Sequence, residues 1–327
     1  MTSYVDRVGR RAVLAAGIAA LAGGAVQAQP AYPNRPIRML VGFSAGGGVD
    51  AMARMLAPRL GALLGQQVVV DNRAGAAGLI AGDVAAKAAP DGYTMMLADS
   101  SLLIAQYLQP RMSFDPIKSF TPVASVFMMP LAIIVGNDFP ARTPQEFVDL
   151  LKANPARYSF ATSGVGTVQH LGFEMLKRQT GTFVVHIPYR GAAQILPDVI
   201  GGAVPIGVVS VSAAIAQAKA GKLRALALMN PAHLPGAEDI HPISEVLPGF
   251  NAVPRLFLLL PAGTPPAIVD KIYSDILAIL QSPEVKARLA RDGAEIVGST
   301  PQKFSVYIEQ EVEKWGEVVK AAGIRAQ

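Results

Sequence analysis

The sequence predicts an α/β protein with two lobes. Short apolar runs rich in β-branched residues alternate with longer stretches of helical period, and glycine- and serine-rich loops follow predicted strands in both halves of the chain. Such alternation is typical of parallel sheets covered by helices. The 327 residues, 51% hydrophobic and only 16% charged, are enough for two domains with separate cores.

The N-terminal segment 1–28 has the features of a secretory signal peptide. Arg7, Arg10 and Arg11 precede an apolar run over residues 12–26, and Val26-Gln27-Ala28 offers a small-residue cleavage site. The apolar run is shorter than the roughly 20 residues that a membrane-spanning helix needs. The Arg10-Arg11 pair fits twin-arginine export and general secretion equally. We therefore predict a periplasmic protein exported by a cleaved signal peptide.

The predicted elements follow from periodicity. Strands are predicted where β-branched apolar runs are short, at residues 37–43, 68–71, 93–98, 123–127, 131–135, 158–161, 184–187, 204–209, 224–228 and 256–260. Helices are predicted between them, at residues 49–64, 79–89, 144–153, 167–179, 212–220, 265–280, 283–290 and 301–322. Several of these helices begin at proline, which fits the first helical turn. Pro58 lies inside the first long helix and is expected to bend it or to remove a hydrogen bond.

A proline-rich segment over residues 230–254 separates the middle units from the C-terminal strand and helices. The middle therefore has the character of an inserted domain. We predict domain 1 at residues 33–128 and 254–327, and domain 2 at residues 129–253. A chain that crosses twice between domains forms a hinge.

Charge and composition exclude several classes of function. The formal net charge is +5, of which +2 lies in the signal segment, and the remaining +3 suits an acidic small molecule. Without basic runs, nucleic-acid binding is not supported. The absence of cysteine excludes disulfides and thiolate chemistry. The four histidines show no metal-ligand spacing apart from a loose pair, His233 and His241, so we expect neither a metal nor a cofactor.

The stretch VGFSAGGGVD, residues 41–50, allows three interpretations. Gly42-Phe43-Ser44-Ala45-Gly46 fits the GxSxG elbow of a serine hydrolase, with His170 or His186 as a partner. Residues 46–51 fit GxGxxA of a dinucleotide-binding loop, with Asp71 at the end of the next strand. The third interpretation is a cradle of backbone N–H groups at a helix N-terminus, which binds a carboxylate and leaves Asp50 to cap the helix.

A second loop supports the cradle. Ala161-Thr162-Ser163-Gly164-Val165-Gly166-Thr167 repeats the order of strand, small polar loop and helix in the middle segment, and Asp99-Ser100-Ser101 follows a third strand. In open α/β sheets, ligands bind beyond the carboxyl ends of strands. One such loop in each lobe predicts a two-lobed solute trap.

Ordered motifs along the mature chain resemble a known family, the periplasmic solute receptors of tripartite tricarboxylate transporters, also called Bug-type receptors. The motifs include Tyr32-Pro33-Asn34-Arg35-Pro36-Ile37, Pro90-Asp91-Gly92-Tyr93-Thr94, His186-Ile187-Pro188-Tyr189-Arg190-Gly191 and Pro261-Ala262-Gly263-Thr264-Pro265-Pro266, besides the two loops above. The resemblance implies a type II periplasmic-binding-protein fold, with two α/β lobes joined by a two-strand hinge and a ligand cleft between them. It implies a monomer without catalysis that captures a carboxylate and presents it to membrane subunits. The alternatives are an exported NAD(P)-dependent oxidoreductase and an orphan receptor that serves a sensor protein.

The resemblance also implies site residues, which we extend with positions from the strand ends. The predicted ligand-binding set is Phe43, Ser44, Ala45, Gly46, Gly47, Gly48, Ser100, Ser101, Ser163, Gly164, Gly166, Thr167, His170, Ser210 and Arg255. Relatives usually have prolines at the positions of Gly42 and Ala45, and many have an acidic residue near Val209, before Ser210. His170 fits a cleft residue or a structural histidine. Arg255 is a hypothetical partner for a second carboxylate of the ligand.

Overall fold

The protein is described here by a computed structural model that covers residues 32–109, 111–291 and 293–324. The predicted signal peptide lies outside the described residues. Residues 35–327 form one compact unit. Over the described ranges, none of the helices combines the length and the apolar character that a membrane crossing requires.

Two sheets organise the molecule. Numbered along the chain, the strands are β1 (Ile37–Val41), β2 (Val68–Asn72), β3 (Thr94–Asp99), β4 (Phe120–Met128), β5 (Leu131–Val135), β6 (Ser159–Thr162), β7 (Val185–Pro188), β8 (Ile206–Ser210), β9 (Arg224–Leu228), β10 (Arg255–Pro261) and β11 (Glu295–Ile296). The first sheet has the order β11-β4-β10-β3-β1-β2, and the second has the order β7-β6-β8-β5-β9. Each sheet with its helices forms one α/β lobe, as the sequence predicted.

Helices cover both sheets. They are α1 (Gly48–Leu64), α2 (Leu79–Ala86), α3 (Ser100–Leu108), α4 (Pro144–Ala153), α5 (Val168–Thr180), α6 (Ala192–Ile200), α7 (Val211–Lys219), α8 (Pro266–Gln281), α9 (Pro283–Arg291) and α10 (Pro301–Ala322). Pro58 lies within α1, which continues past it to Leu64. Local signals fix the ends: the Thr143 side chain caps α4 directly before Pro144, and Gly65 ends α1 in the left-handed conformation with φ 68°.

The central strands of both sheets explain why the strand predictions worked. Strand β1 pairs in parallel with β2 and β3, whereas β10 pairs antiparallel with β3 and β4. All five residues of β5 are buried. A strand covered on both faces reads as a continuous apolar run, and this is the signal in the sequence.

Two helices were not predicted from the sequence. Helix α3 begins at Ser100, where we predicted a small polar loop, because the Asp99 side chain accepts a hydrogen bond from the Ser101 N–H and caps the helix. Helix α6 contains Pro197, which interrupts the helical pattern in the sequence. The N-termini of both helices lie at the site described below.

The chain passes from the first sheet to the second between β4 and β5 and returns between β9 and β10. Helix α10 also joins the two lobes. Its Phe304 packs in the first-lobe core, with its ring centroid 5.1 Å from that of Phe257, whereas Trp315 is fully buried in the cluster that contains Phe147 and Phe173 of the second lobe. The domain boundaries given above remain a prediction, and α10 belongs to both cores.

Candidate functional site

Five helices begin at one small cavity between the lobes, counting only the part of the chain that the structure describes. The cavity is lined by the first residues of α1 (Gly48), α5 (Val168) and α6 (Ala192) and by the N-cap residues of α3 (Asp99) and α7 (Ser210). The first N–H groups of a helix have no partner within the helix and carry partial positive charge. The small cavity is therefore suited to a negatively charged group.

The small cavity has a volume of about 20 Å³. This is space for about one water molecule. Predicted site residues Phe43, Gly47, Gly48, Ser163 and Ser210 all line it. A space of this size admits a single polar atom and not a whole ligand.

The loop before α1 is fixed by a buried carboxylate. The Gly46 N–H donates to Asp50 Oδ2 at 2.9 Å, and Asn72 Nδ2 donates to Asp50 Oδ1 at 2.9 Å and to the Phe43 carbonyl at 3.0 Å. Burial raises the pKa of Asp50, but hydrogen bonds from Arg54, Gly46 and Asn72 outweigh it and hold the pKa below its ordinary value. Asp50 therefore shapes the loop and engages the Gly46 N–H, while Gly48 and Val49, the first residues of α1, line the cavity.

The matching loop of the second lobe, residues 163–167, also has an internal scaffold. Thr167 caps α5 by accepting from the His170 N–H, and Thr167 Oγ1 donates to the Gly164 carbonyl at 2.8 Å. Gly164 and Gly166 have φ values of 133° and 84°, which only glycine adopts readily. The Gly166 N–H donates to His170 Nδ1 at 3.2 Å, so this amide is also engaged within the loop.

His170 stands behind this loop as a structural residue. It is buried, and its ring stacks on that of His186 with centroids 3.9 Å apart, while His186 Nε2 lies 2.7 Å from Thr162 Oγ1. Burial, together with the positive charge of Lys177, lowers the pKa of His170 to about 4. Burial is also the main cause that lowers the pKa of His186 to about 3. Both rings are therefore neutral at physiological pH.

The lobes touch at the predicted loop residues. A Cβ built on Gly191 would lie 2.1 Å from Ser44 Oγ, and one built on Gly48 would lie 2.7 Å from Met129 Sδ and 3.0 Å from Ser210 Oγ. A Cβ on Gly46 would meet the Ala193 methyl group at 3.7 Å. The first-lobe loop is thus seated against the starts of α6 and α7, with no room for an added methyl group at Gly48 or Gly191.

A chamber of about 440 Å³ adjoins this contact. Four segments line it. The first is the loop after β2 with the start of α2 (residues 74–77, 79 and 80), and the second is the end of α3 (Ala105, Leu108 and Gln109). The other two are residues 163–166 and residues 188–190. Predicted site residues Ser163, Gly164 and Gly166 form part of its wall. Ser163 lines both the chamber and the small cavity, so the two spaces adjoin at this residue.

The chamber wall after β2 was missed by sequence reasoning. Gly75, Ala76, Ala77 and Gly78 have φ values of 133°, 48°, 53° and 93°. Left-handed backbone at two successive alanines costs of order 1–3 kcal/mol each and is typical of functional sites. The signal in the sequence was a small-residue loop that follows β2 at the same sheet end as the loop after β1.

Three predicted residues lie away from the ligand space or serve other contacts. Ser100 Oγ donates to Glu311 Oε2 at 2.8 Å and accepts from the Arg255 N–H at 3.1 Å. The Arg255 guanidinium lies 3.5 Å from the centroid of the Tyr307 ring, and Arg255 lines neither the small cavity nor the chamber. Ser101 Oγ accepts from the Val168 N–H at 3.4 Å and so joins the lobes. The structure gives no support to Arg255 as a ligand contact, because its side chain is directed to α10.

Asp99 contributes a carboxyl group that the sequence-based set omitted. It is 7% exposed and lines the small cavity while capping α3. Burial raises the pKa of Asp99 to about 6, against the opposing effect of hydrogen bonds from Ser101. An acidic side chain is thus present in the cleft, on the first lobe, although the second-lobe position near Val209 lacks one.

The geometry disfavours the two enzyme interpretations of residues 41–51. Ser44 Oγ is buried and has no hydrogen-bond partner among the described residues, and neither His170 nor His186 contacts it. Asp71 interacts with Arg73 at 3.0 Å and with Arg38 at 3.8 Å. The space at the α1 N-terminus is too small in this form for a pyrophosphate.

Comparison with known proteins agrees with this architecture. The model of the tripartite tricarboxylate transporter family receptor (TctC) matches residues 52–324. The periplasmic binding protein BugD is 33% identical, covers 90% of this chain and 100% of its own, and has a TM-score of 0.86. Rpa4515 of R. palustris, solved with adipate, is 30% identical, and the match covers 90% of this chain and 100% of Rpa4515 with a TM-score of 0.88. MatC from Rhodopseudomonas palustris, solved with bound malate, is 28% identical, and the match covers 88% of this chain and 100% of MatC with a TM-score of 0.83.

These similarities extend over both lobes and confirm the predicted fold, a type II periplasmic-binding-protein fold. The similar proteins are binding proteins rather than enzymes. The chain belongs to the tripartite tricarboxylate transporter receptor (TctC) family of periplasmic solute-binding proteins.

Proposed function

We propose that the protein captures a small organic carboxylate in the periplasm by closing its two lobes, and presents it to the membrane subunits of a tripartite tricarboxylate transporter. The observation that carries this proposal is the convergence of five helix N-termini from both lobes on the small cavity. One carboxylate oxygen of the ligand binds there, in a space that otherwise fits about one water molecule. Export by the signal peptide at residues 1–28 is part of the same proposal.

Main-chain donors from both lobes explain how a ligand favours closure. The N–H groups of Gly48 and Val49 belong to the first lobe, whereas those of Gln169 and Ala192 belong to the second, where Val168 already donates to Ser101. A carboxylate that bridges them interacts fully only in the closed state, so binding shifts the population toward that state. Delivery then depends on recognition of the closed surface by membrane subunits.

The remainder of the ligand occupies the chamber. The floor is apolar, with Ala77, Leu79, Ile80 and Leu108, and the rim carries Arg190 and Gln109. Arg190 uses its backbone N–H to bind Gln194, and no carboxylate among the described side chains pairs with its guanidinium. A dicarboxylate with an aliphatic spacer fits this arrangement, with Arg190 as the partner of the distal carboxylate. The adipate and malate bound to similar proteins are dicarboxylates.

A thermal-shift screen of the mature protein against mono-, di- and tricarboxylates tests the proposal, with calorimetry on the hits. A ligand that binds the folded state alone at 100 times its Kd stabilises it by about 2.7 kcal/mol. Each hit is paired with its neutral amide, for example adipate with adipamide. We expect the acid to bind and the amide to fail.

Equal binding of acid and amide, or hits confined to nucleotides, would contradict a carboxylate receptor. Delivery is a separate question, which co-purification with the membrane subunits in the presence and absence of the hit addresses. Capture that requires the ligand supports the transporter partner. Ligand-dependent capture of a membrane sensor protein instead would redirect the proposal to signalling.

A further inference from the structure

Two histidines and a glutamate meet on the surface of the second lobe. None of them lines the ligand chamber. His233 Nε2 lies 2.8 Å from Glu245 Oε1, and His241 Nδ1 lies 3.0 Å from Glu245 Oε2. One ligand atom from each side chain can be chosen so that all three lie within 4.8 Å of one another. The three side chains are about half exposed, at 51%, 57% and 43%.

We propose that His233, His241 and Glu245 bind a divalent transition metal ion of the Zn²⁺, Ni²⁺ or Cu²⁺ type. Two imidazole nitrogens and one carboxylate oxygen are the donors that these ions share, whereas Mg²⁺ and Ca²⁺ prefer sets made of oxygen alone. Three protein ligands leave at least one position for water. This inference is independent of the carboxylate function proposed above.

The surrounding backbone holds the three side chains in place. Leu234, next to His233, is 4% exposed, and Ile243, between the other two ligands, is fully buried. The His241 carbonyl accepts from the Leu228 N–H at 2.9 Å, and Ser244 Oγ donates to the Pro231 carbonyl at 3.0 Å. The backbone on both sides is therefore anchored in the core and paired across the segment, which reduces the entropy lost when a metal fixes the side chains.

The metal replaces the direct contacts between the rings and Glu245. Each ring nitrogen that contacts the carboxylate coordinates the ion with its lone pair, and in a neutral ring the proton is carried by the other ring nitrogen, which it reaches by exchange with water. Ligand atoms around tetrahedral zinc are about 3.3 Å apart, given bonds of about 2.0–2.1 Å. The histidine–glutamate distances already lie near this value, and all three ligand atoms lie within 4.8 Å of one another, so rotation of the exposed side chains can bring them to this spacing.

The competing explanation is a surface group of histidine–carboxylate pairs without a metal. Exposed pairs of this kind contribute little to stability. Their contribution does not depend on the identity of added cations. Metal specificity and stoichiometry therefore separate the two explanations.

Calorimetry on the full mature chain, free of any affinity tag and stripped with chelator, tests the site with Zn²⁺, Ni²⁺ and Mg²⁺. We expect one Zn²⁺ or Ni²⁺ per chain and no heat of binding for Mg²⁺. His233→Ala and His241→Ala each weaken binding at least about tenfold, since even loss of an outer contact costs 10–100-fold. Glu238→Gln, which removes an exposed carboxylate in the same segment, is the matched control and leaves the affinity unchanged.

Electron paramagnetic resonance of the Cu²⁺-loaded protein gives a second readout. We expect hyperfine coupling from two nitrogens, reduced to one in each histidine variant. Equal Zn²⁺ affinity of wild type and the two histidine variants would overturn the proposal. So would a wild-type chain that binds none of the three transition metals.

Discussion

Ser44 of the first lobe and Gly191 of the second lie in direct contact, so that a Cβ on Gly191 would stand 2.1 Å from Ser44 Oγ. This contact joins the two lobes, and Ser44 Oγ has no hydrogen-bond partner among the described residues. Substitutions at these two residues can therefore change the contact between the lobes without removing a hydrogen bond.

Gly191→Ala should weaken binding of every ligand by obstructing closure, by about tenfold or more if even 1.4 kcal/mol of closure energy is lost. Residue 191 has φ 164°, extended backbone that alanine also adopts, so folding should be retained. The double variant with Ser44→Ala removes the clashing oxygen and should recover most of the affinity in calorimetry. Gly136→Ala, whose Cβ would meet nothing closer than 3.4 Å, is the control. Unchanged affinity of Gly191→Ala would mean that ligands bind without this closure.

Arg190→Gln should lower the affinity for dicarboxylates while sparing monocarboxylates of similar chain length. A charge-assisted hydrogen bond is worth roughly 1.5–3 kcal/mol, so a loss of about 10- to 100-fold is expected. Calorimetry with the two ligand types on both proteins measures this difference. An equal loss of affinity for dicarboxylates and monocarboxylates would mean that Arg190 acts on folding or closure and does not bind the distal carboxylate. The exposed Arg178→Gln, away from the chamber, controls for net charge.

Asp99→Asn should change how stability depends on pH. The folded pKa of about 6 lies above the ordinary aspartate value of 3.8, so the folded state binds the proton more tightly. The contribution of this group to stability is therefore full below about pH 4, is lost as the pH rises toward 6, and stays lost above it. Asparagine also caps helices. Melting temperatures between pH 4 and 8 should fall less with rising pH in the variant than in the wild type.

The same substitution should strengthen carboxylate binding above pH 6, because it removes a negative charge from the small cavity. Weaker binding in the variant would indicate instead that Asp99 accepts a hydrogen bond from the ligand. Either outcome is read from Kd at pH 5 and pH 8.

His186→Gln should make the protein less sensitive to acid. Burial lowers the folded pKa values of His186 and His170 to about 3 and about 4, below the ordinary histidine value of 6.5, so the unfolded state binds protons first. Stability from the neutral rings is present above pH 6.5 and declines as the pH falls toward 3–4, by an amount of order a few kcal/mol. Glutamine keeps a polar partner for Thr162 and does not titrate. A variant whose melting temperature falls between pH 6.5 and 4 as steeply as the wild type would contradict this account.

Sequence patterns predicted the parts of this molecule in which local signals agree. The loop at residues 163–167 was predicted because a strand, two glycines and a threonine cap occur in order, and the structure shows Thr167 capping α5. The loop at residues 75–78 was missed because its alanines and glycines act through backbone conformation alone. No side chain there indicates a site.

Other features arise only from tertiary contacts. Arg190 reaches the chamber because β7 pairs with β6, which brings the ends of two distant strands together. Glu245 joins His233 and His241 through a loop whose spacing follows no periodic pattern. Arg255 was expected in the cleft from its position at the hinge, but an aromatic ring on α10 provides the nearer partner.

Phe304 and Trp315 are eleven residues apart on one continuous helix, a separation of about 16 Å at 1.5 Å per residue. Each is fixed in the core of a different lobe. Because one continuous helix packs into both cores, a large translation of one lobe relative to the other would pull Phe304 or Trp315 out of its core. We therefore expect the cleft to open by rotation about a line close to α10 rather than by translation of one lobe along the other.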